Sequence, residues 1–182
     1  HPFDGGSATG TTLSANEDFL RNTIMSYTSK DRNYYLQESG GSVSLVPIYA
    51  STAMRYDIAT AEYFYGVSTT TRATNTVYSW ATNPKTLETV LDSGGADTFD
   101  ASNQTRSNII DLRPGAFSSI GIWSRADQIS YYGGLGYNLN NYLSAADATV
   151  TAPSHSILYT GEDNVAIAYS STIENAIGGS AA

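Results

Sequence analysis

The 182-residue chain contains no cysteine, which excludes disulfides and every chemistry that needs a thiolate. That is compatible with a protein secreted without disulfides. No apolar run approaches the roughly 18 residues of a membrane-spanning helix, so we expect no membrane partner. The start, HPFDGG, has neither the basic nor the apolar segment of a signal peptide, and it begins with His1 instead of Met. We therefore expect a processed or truncated piece.

Basic side chains are also scarce. Nine Lys and Arg stand against 17 Asp and Glu, giving a net charge of -8, and the only lysines are Lys30 and Lys85. Such an acidic surface repels nucleic acid phosphates and anionic lipid, so we expect neither partner. The same acidity suits divalent cations such as calcium.

The pattern along the chain predicts a loop-and-helix part followed by a β-rich part, with a boundary near residue 66. Residues 1–44 are predicted to be irregular. Next comes a helix with Ser51 or Thr52 as N-cap and Gly66 as C-cap. Its apolar residues at helical spacing are Met54, Ile58, Ala61 and Tyr65.

Short β-type runs separated by Gly, Asn, Asp and Pro follow Gly66. These predicted strands cover residues 76–80, 87–91, 98–101, 108–112 and 165–169. Residues 121–162 are rich in Tyr, Asn and Gly and are predicted to hold a short helix near 140–146.

Carboxylates around glycines offer the most specific chemistry. Asp92 and Asp97 flank Gly94 and Gly95, and glycine lets carbonyls turn toward an ion while carboxylates supply hard oxygen. Thr172 and Glu174 would point the same way on a strand and could add to a calcium shell. The alternatives are a polar turn at the first place and a solvated strand face at the second.

The two histidines, His1 and His155, are far apart in the sequence. From composition alone, His1 fits a frayed terminus, Met25 a core side chain and Tyr27 a half-buried aromatic. No Ser lies on a Gly-x-Ser-x-Gly elbow, which argues against a serine hydrolase.

Five segments follow one another in an order that is found in a known protein family. They are His1-Pro2-x-Asp4, Ile24-Met25-Ser26-Tyr27, the predicted helix that ends at Tyr65-Gly66 and is followed by Thr70-Thr71-Arg72, and the runs at 92–100 and 172–179. In this order the chain resembles the serralysin family of bacterial secreted zinc metalloproteases, within the metzincins. The first segment looks like the end of H-E-x-x-H-x-x-G-x-x-H-P, and the second like the Met-turn. The third looks like the last catalytic-domain helix, and the last two like the calcium-binding start of the C-terminal β-domain.

The resemblance implies an α+β protein in two parts. Residues 1–66 would be the C-terminal part of a metzincin catalytic domain, made of loops plus one helix. Residues 67–182 would be a calcium-binding β-domain leading to a β-roll, with an insertion at about 121–162.

The resemblance also implies zinc and calcium as cofactors. His1 would be the third zinc-binding histidine, Met25 the apolar floor beneath the metal, and Tyr27 a phenol that binds zinc at rest and stabilises the oxyanion. The implied calcium ligands are Arg72 and Thr74 (main chain), Thr76, Asp92, Gly94, Gly95, Asp97, Thr172 and Glu174. Asn75 stands where the family's calcium loop carries Asp, which would weaken one site.

The 182 residues contain no H-E-x-x-H helix, which would supply two zinc ligands and the general base. The leading hypothesis is that the chain is part of a secreted, calcium-stabilised zinc endopeptidase. The whole enzyme would hydrolyse protein or peptide substrates through a zinc-bound water, and these 182 residues alone would be inactive. One alternative is a non-catalytic calcium-binding β-module, an adhesin segment or secretion scaffold. Another is a nicked enzyme whose separate N-terminal fragment carries H-E-x-x-H.

Overall fold

The computed structural model describes residues 13–28, 30–150 and 154–180. In these ranges the chain is mixed α and β, with short strands in three sheets and three helices. The elements in chain order are β1 (Tyr34–Ser39), β2 (Ser42–Pro47), α1 (Arg55–Tyr65), β3 (Val77–Ser79), β4 (Glu88–Val90), β5 (Thr98–Asp100), β6 (Ser107–Ile109), β7 (Phe117–Ile122), α2 (Arg125–Gly134), α3 (Asn140–Asp147), β8 (Val165–Ile167) and β9 (Asn175–Ile177).

A β-hairpin begins inside the segment 1–44 that was predicted to be irregular. That prediction was wrong for the residues of β1 and for the start of β2. Strands β1 and β2 pair antiparallel and are joined through Gly40 and Gly41. Both glycines have positive φ, 59° and 78°, as a two-residue hairpin turn of the primed type requires. The Gly-Gly pair between two β-compatible runs was the available signal.

Helix α1 ends at its predicted C-cap, Gly66, but it begins later than predicted. Its N-cap is Met54, whose backbone N–H donates to the Asp57 carboxylate at 2.9 Å. The hydroxyl of Thr52, a predicted cap, instead accepts a bond from the backbone N–H of Thr89 at 2.8 Å. The predicted apolar stripe holds only at its start: Met54 and Ile58 are buried, whereas Tyr65 is 90% exposed.

Two small sheets form the β-rich part. Strands β3, β5 and β9 make a parallel sheet, and β4, β8, β7 and β6 make a mixed one. The strands predicted near 76–80, 87–91, 98–101 and 165–169 are present in shortened form, and the one predicted at 108–112 begins earlier, as β6. Strands β7 and β9 were not predicted. The two sheets share one buried cluster, to which β5 contributes Phe99, β7 contributes Ile120, and β8 contributes Val165 and Ile167.

The 121–162 segment folds against the hairpin. It contains α2, which the sequence did not predict, and α3, which it did. Tyr132 of α2 donates its hydroxyl to the carbonyl of Leu36 at 2.9 Å, and both side chains belong to a cluster with Leu139, Leu143 and Leu158.

The predicted boundary near residue 66 is bridged by packing. A buried cluster combines Leu20, Ile48 and Met54 from one side with Leu87 and Tyr159 from the other. Within the described ranges, none of the helices has the length and apolar character needed to cross a membrane.

Candidate functional site

The loop at residues 22–27 carries the predicted Met-turn. Its turns are closed by backbone bonds from Asn22 to Phe19 at 2.9 Å and from Ser26 to Thr23 at 3.3 Å. Met25 is 41% exposed and Tyr27 is 73% exposed, so both side chains reach the protein surface. The predicted zinc ligand His1 lies outside the described residues.

A single carboxylate ties this loop to the start of α1. Asp57 accepts bonds from the Thr23 hydroxyl at 2.5 Å, from the Ile24 backbone N–H at 2.9 Å and from the Met54 backbone N–H at 2.9 Å. The first turn of a helix also favours negative charge, because its N–H groups point outward unpaired. Asp57 was not among the predicted site residues. Its place three residues after the N-cap is a signal for helix capping only.

Next to this anchor, two more contacts hold the loop. Arg55 donates its Nε to the Asn22 side-chain oxygen at 2.8 Å, and the Tyr56 backbone N–H donates to the Asn22 carbonyl at 2.9 Å. The 22–27 loop is thus positioned by the first turn of α1.

Replacing Asp57 by asparagine should loosen the loop. The amide group can accept at one oxygen only, and its NH2 would face N–H donors. We expect a loss of about 1–3 kcal/mol in the free energy of unfolding, measured by urea denaturation. Asp127→Asn is the matched control, because Asp127 holds the same helical position in α2 but is exposed. Equal losses in the two variants would contradict the anchoring role.

The predicted calcium residues meet at a second place, the turn at residues 92–97, which we call the carboxylate turn. Asp97 is fully buried. Its Oδ1 accepts from the Thr76 backbone N–H at 2.7 Å, and its own N–H donates to the Glu174 carboxylate at 2.7 Å. In the described part of the chain its Oδ2 has no hydrogen-bond partner. A buried carboxylate oxygen without a donor is the kind of atom that a cation satisfies.

The electrostatics of the turn point the same way. Burial raises the pKa of Asp97 above its ordinary value, and the nearby carboxylates of Asp92 and Glu174 raise it further. The bond from Thr76 opposes this shift but does not cancel it. Repulsion among carboxylates is relieved either by a proton or by a bound cation.

Glycine geometry brings the backbone close to these carboxylates. Gly95 has φ 142°, and a Cβ there would lie 2.7 Å from backbone atoms of Thr74 and Asn75. The Gly94 N–H donates to Asp92 at 2.8 Å, and the Asn75 side chain accepts from the Ala96 N–H at 3.0 Å. Only glycine permits this approach at residue 95.

Two predicted ligands are less closely tied to the turn. Arg72 has φ 50°, and its guanidinium lies 5.3 Å from the centre of the Tyr78 ring. Thr172 is exposed, as is Glu174, while Ile173 between them is buried. This alternation places the two predicted ligands on one face, as expected for extended chain.

No three His, Cys, Asp or Glu side chains in the described ranges converge as a ready metal site. A calcium ion at the carboxylate turn would therefore need main-chain oxygens besides the carboxylates. Such mixed oxygen shells are ordinary for calcium, and the unpartnered oxygen of Asp97 fits this chemistry.

A family model described as Peptidase M10 serralysin C terminal matches residues 54–132, which include α1 and the carboxylate turn. The chain belongs to the serralysin family. It is 35% identical to Serralysin of Proteus mirabilis over 117 residues, covering 58% of this chain and 22% of that protein. It is 30% identical to Serralysin B of Dickeya chrysanthemi over 176 residues, covering 90% of this chain and 27% of that protein.

A third relative is Metalloprotease AprA of Pseudomonas entomophila, 30% identical over 138 residues, with 66% of this chain and 27% of that protein covered. This serralysin-family chain spans about a quarter of the length of the curated relatives it matches. The resemblance to the serralysin family is thereby confirmed. The individual ligand assignments stay predictions.

Proposed function

We propose that this chain forms part of a secreted zinc endopeptidase that calcium stabilises and that acts on protein or peptide substrates. The observation that carries the proposal is the 22–27 loop, fixed to α1 by Asp57, which holds Tyr27 73% exposed in a chain of the serralysin family. An exposed phenol on an anchored loop is accessible to a substrate and can donate a hydrogen bond to a substrate oxygen.

In this proposal Tyr27 is the catalytic residue of the described chain, and Met25 lies beside it as the Met-turn residue. Tyr27 would donate its phenolic proton in a hydrogen bond to the oxyanion that develops as the peptide bond is attacked. His1 would supply one zinc ligand. Zinc, when bound, supplies Lewis-acid polarisation and lowers the pKa of water.

A catalytic zinc site needs about three protein ligands and a water. The 182 residues offer His1 and Tyr27 but no H-E-x-x-H motif. We therefore propose that they are inactive by themselves and that activity requires the longer protein or a separate fragment that carries the motif.

Calcium bound at the carboxylate turn would stabilise the folded state. Asp92 and Asp97 lie in one turn, and Glu174 lies 77 residues after Asp97, so this turn and Glu174 meet only in the folded state. An ion held there joins the start of β5 to the segment before β9. Ligands that bind the folded state alone stabilise it by mass action.

The test of the catalytic proposal is Tyr27→Phe in the full-length protein, with casein hydrolysis and zinc content measured together. Loss of one oxyanion donor should lower turnover by about 100-fold while bound zinc stays near one per chain. Tyr63→Phe is the control, because Tyr63 is also highly exposed but lies on α1. Unchanged turnover in Tyr27→Phe would remove the catalytic role.

Metal analysis separates this proposal from its main rival, the non-catalytic calcium-binding β-module. Zinc with calcium in the purified native protein supports the endopeptidase. Calcium without zinc, together with no casein hydrolysis, supports the module. The carboxylate turn is the observation that favours the calcium-binding module as a second candidate, because calcium binding at this turn does not depend on zinc.

A further inference from the structure

A cavity of about 450 Å³ lies away from both the 22–27 loop and the carboxylate turn. It is bounded by β1, the 83–85 loop, the end of β7 and helix α2. Its volume is in the range of small-molecule sites, about 300–1,000 Å³. The lining residues that matter here are Tyr35, Lys85, Arg106, Trp123, Tyr132 and Tyr159. We call it the aromatic cavity.

Two cations line the aromatic cavity, each held over a ring. The Lys85 ammonium lies 3.6 Å from the centre of the Tyr35 ring, and the Arg106 guanidinium lies 4.1 Å from the Trp123 ring. Such contacts fix the direction of a cation but add no negative charge beside it, because an aromatic ring carries no net charge.

These cations differ from most others in this acidic chain. Within the described ranges, Arg21, Arg32, Arg113 and Arg125 each have a carboxylate oxygen within 4.0 Å. Among the residues that the structure describes, no carboxylate oxygen lies within 4.0 Å of Lys85 or Arg106. The aromatic cavity is thus a locally positive place on a protein of net charge -8.

The two charges also affect each other. Burial lowers the pKa of Lys85, and the positive charge of Arg106 lowers it further. Burial lowers the pKa of Arg106 as well, and Asp127 partly offsets that shift. An anion placed between the two would relieve the repulsion and replace lost hydration.

The walls are fixed before any ligand arrives. The Gln128 amide of α2 donates to the carbonyls of Trp123 at 2.8 Å and Tyr159 at 2.9 Å. The Tyr159 hydroxyl contacts the carbonyls of Pro84 and Thr86, each at 3.1 Å, which holds the loop that carries Lys85. A cavity with anchored walls loses little entropy when it binds.

An aromatic wall completes the site. The rings of Trp123 and Tyr131 meet edge to face at 5.5 Å between centroids, and those of Tyr131 and Tyr132 do so at 5.2 Å. Tyr131 is 57% exposed and stands at the rim. Flat apolar groups pack well against such rings.

We propose that the aromatic cavity binds an organic anion with a flat aromatic body, its charged group between Lys85 and Arg106 and its rings against Trp123 and the tyrosines. This site is independent of zinc, of calcium and of peptide hydrolysis. The same chemistry could come from a free aromatic acid or from the carboxyl terminus of a peptide that ends in an aromatic residue.

The test is calorimetric titration of the purified protein with 2-naphthoate and with its neutral analogue 2-naphthalenemethanol. Naphthoate should bind and the alcohol should bind about tenfold more weakly or not at all, because it lacks the charge. This comparison uses the unaltered protein, so it does not depend on any variant folding. Equal affinity for the two compounds, or no binding of naphthoate, would overturn the proposal.

Variants then locate the site. Lys85→Gln and Arg106→Gln should each weaken naphthoate binding about tenfold. Arg113→Gln should leave it unchanged, since Arg113 is an exposed cation paired with Asp111. Thermal unfolding of each variant checks that it is folded. Full affinity in both cavity variants would place the binding elsewhere.

A parallel titration with N-acetyl-phenylalanine distinguishes the two sources. Tighter binding of this compound than of naphthoate assigns the cavity to peptide termini, and the reverse order assigns it to free aromatic acids. Provided that naphthoate binds, either order supports an anion site. Failure of both compounds to bind contradicts the proposal.

Discussion

Replacing Arg21 by methionine should lower the free energy of unfolding by about 3–5 kcal/mol, as for other buried ion pairs that lose one partner. The Arg21 side chain is only 2% exposed. Burial lowers its pKa to about 10, so it still carries its charge at neutral pH. Methionine of similar length fills the space but supplies no donors.

The cause of this large effect is the number of groups that Arg21 satisfies. Its Nη1 donates to the carbonyls of Glu162 at 2.7 Å and Asp163 at 2.8 Å, and its Nη2 donates to the carbonyl of Arg32 at 3.0 Å. Its Nε lies 3.4 Å from the Asp31 carboxylate. Without Arg21 these carbonyls lose a donor, and among the described residues the nearly buried Asp31 carboxylate keeps only the Ser154 hydroxyl and the more distant Arg32 Nε at 3.9 Å. Each lost bond has a desolvation penalty.

Urea unfolding of Arg21→Met checks the prediction, with Arg113→Met as control. Arg113 also pairs with a carboxylate, but its side chain is 83% exposed, so its loss should cost less than about 1 kcal/mol. Adding Asp31→Asn to Arg21→Met should recover part of the loss, because the buried carboxylate that has lost its nearest cation is then replaced by a neutral amide. A loss below 1 kcal/mol in Arg21→Met would show that water replaces the guanidinium.

Saturating calcium should raise the melting temperature by about 5–10 °C. An excess of about 100-fold over Kd stabilises by about 2.7 kcal/mol, and a domain of this size gains roughly 2–4 °C per kcal/mol. The Asp97→Asn variant should lose most of this response. It should also be more stable than the parent protein without calcium, since a neutral amide replaces a buried carboxylate near Asp92 and Glu174.

The pH dependence of the calcium-free protein follows from the raised pKa of Asp97. The folded state binds the proton more tightly than the unfolded state does. Its stability should therefore fall as pH rises from the unfolded value of about 3.9 through the higher folded value, and stay lower above it. The Asp97→Asn variant should lack this contribution.

Differential scanning calorimetry with calcium and with a chelator, at several pH values, measures both effects. Asp111→Asn is the control, because Asp111 pairs with the exposed Arg113 and lies outside the carboxylate turn. It should keep the full calcium response. A full response in Asp97→Asn would exclude this carboxylate as a calcium ligand.

Local signals predicted several features of this fold. The strands near 76–80 and 98–101, the helix α3 and the C-cap at Gly66 follow from residue patterns within a few positions. The serralysin resemblance also came from short motifs. The missed β7, with the sequence FSSIGI, has two serines and a glycine in place of a β-branched run, and it forms a strand because both neighbours bond to it.

The candidate site divides in the same way. The pair Asp92 and Asp97 around two glycines is visible in the sequence. The anchoring role of Asp57 is not, because its partners Thr23 and Ile24 lie more than 30 residues away. Capping preference favoured Ser51 or Thr52 as the N-cap. In the fold the Ser51 hydroxyl donates to the Leu87 carbonyl, and the Thr52 hydroxyl accepts from the Thr89 N–H, so neither caps the helix.

The sequence by itself determined the family, the acidic character and the residue types at the predicted metal sites, because these depend on motifs and composition. Only the tertiary structure decided which distant groups meet. Arg21 finds its carbonyl partners about 140 residues along the chain, and Lys85 and Arg106 line one cavity. Burial and the distances between charges set their energies, and both depend on the path of the whole chain.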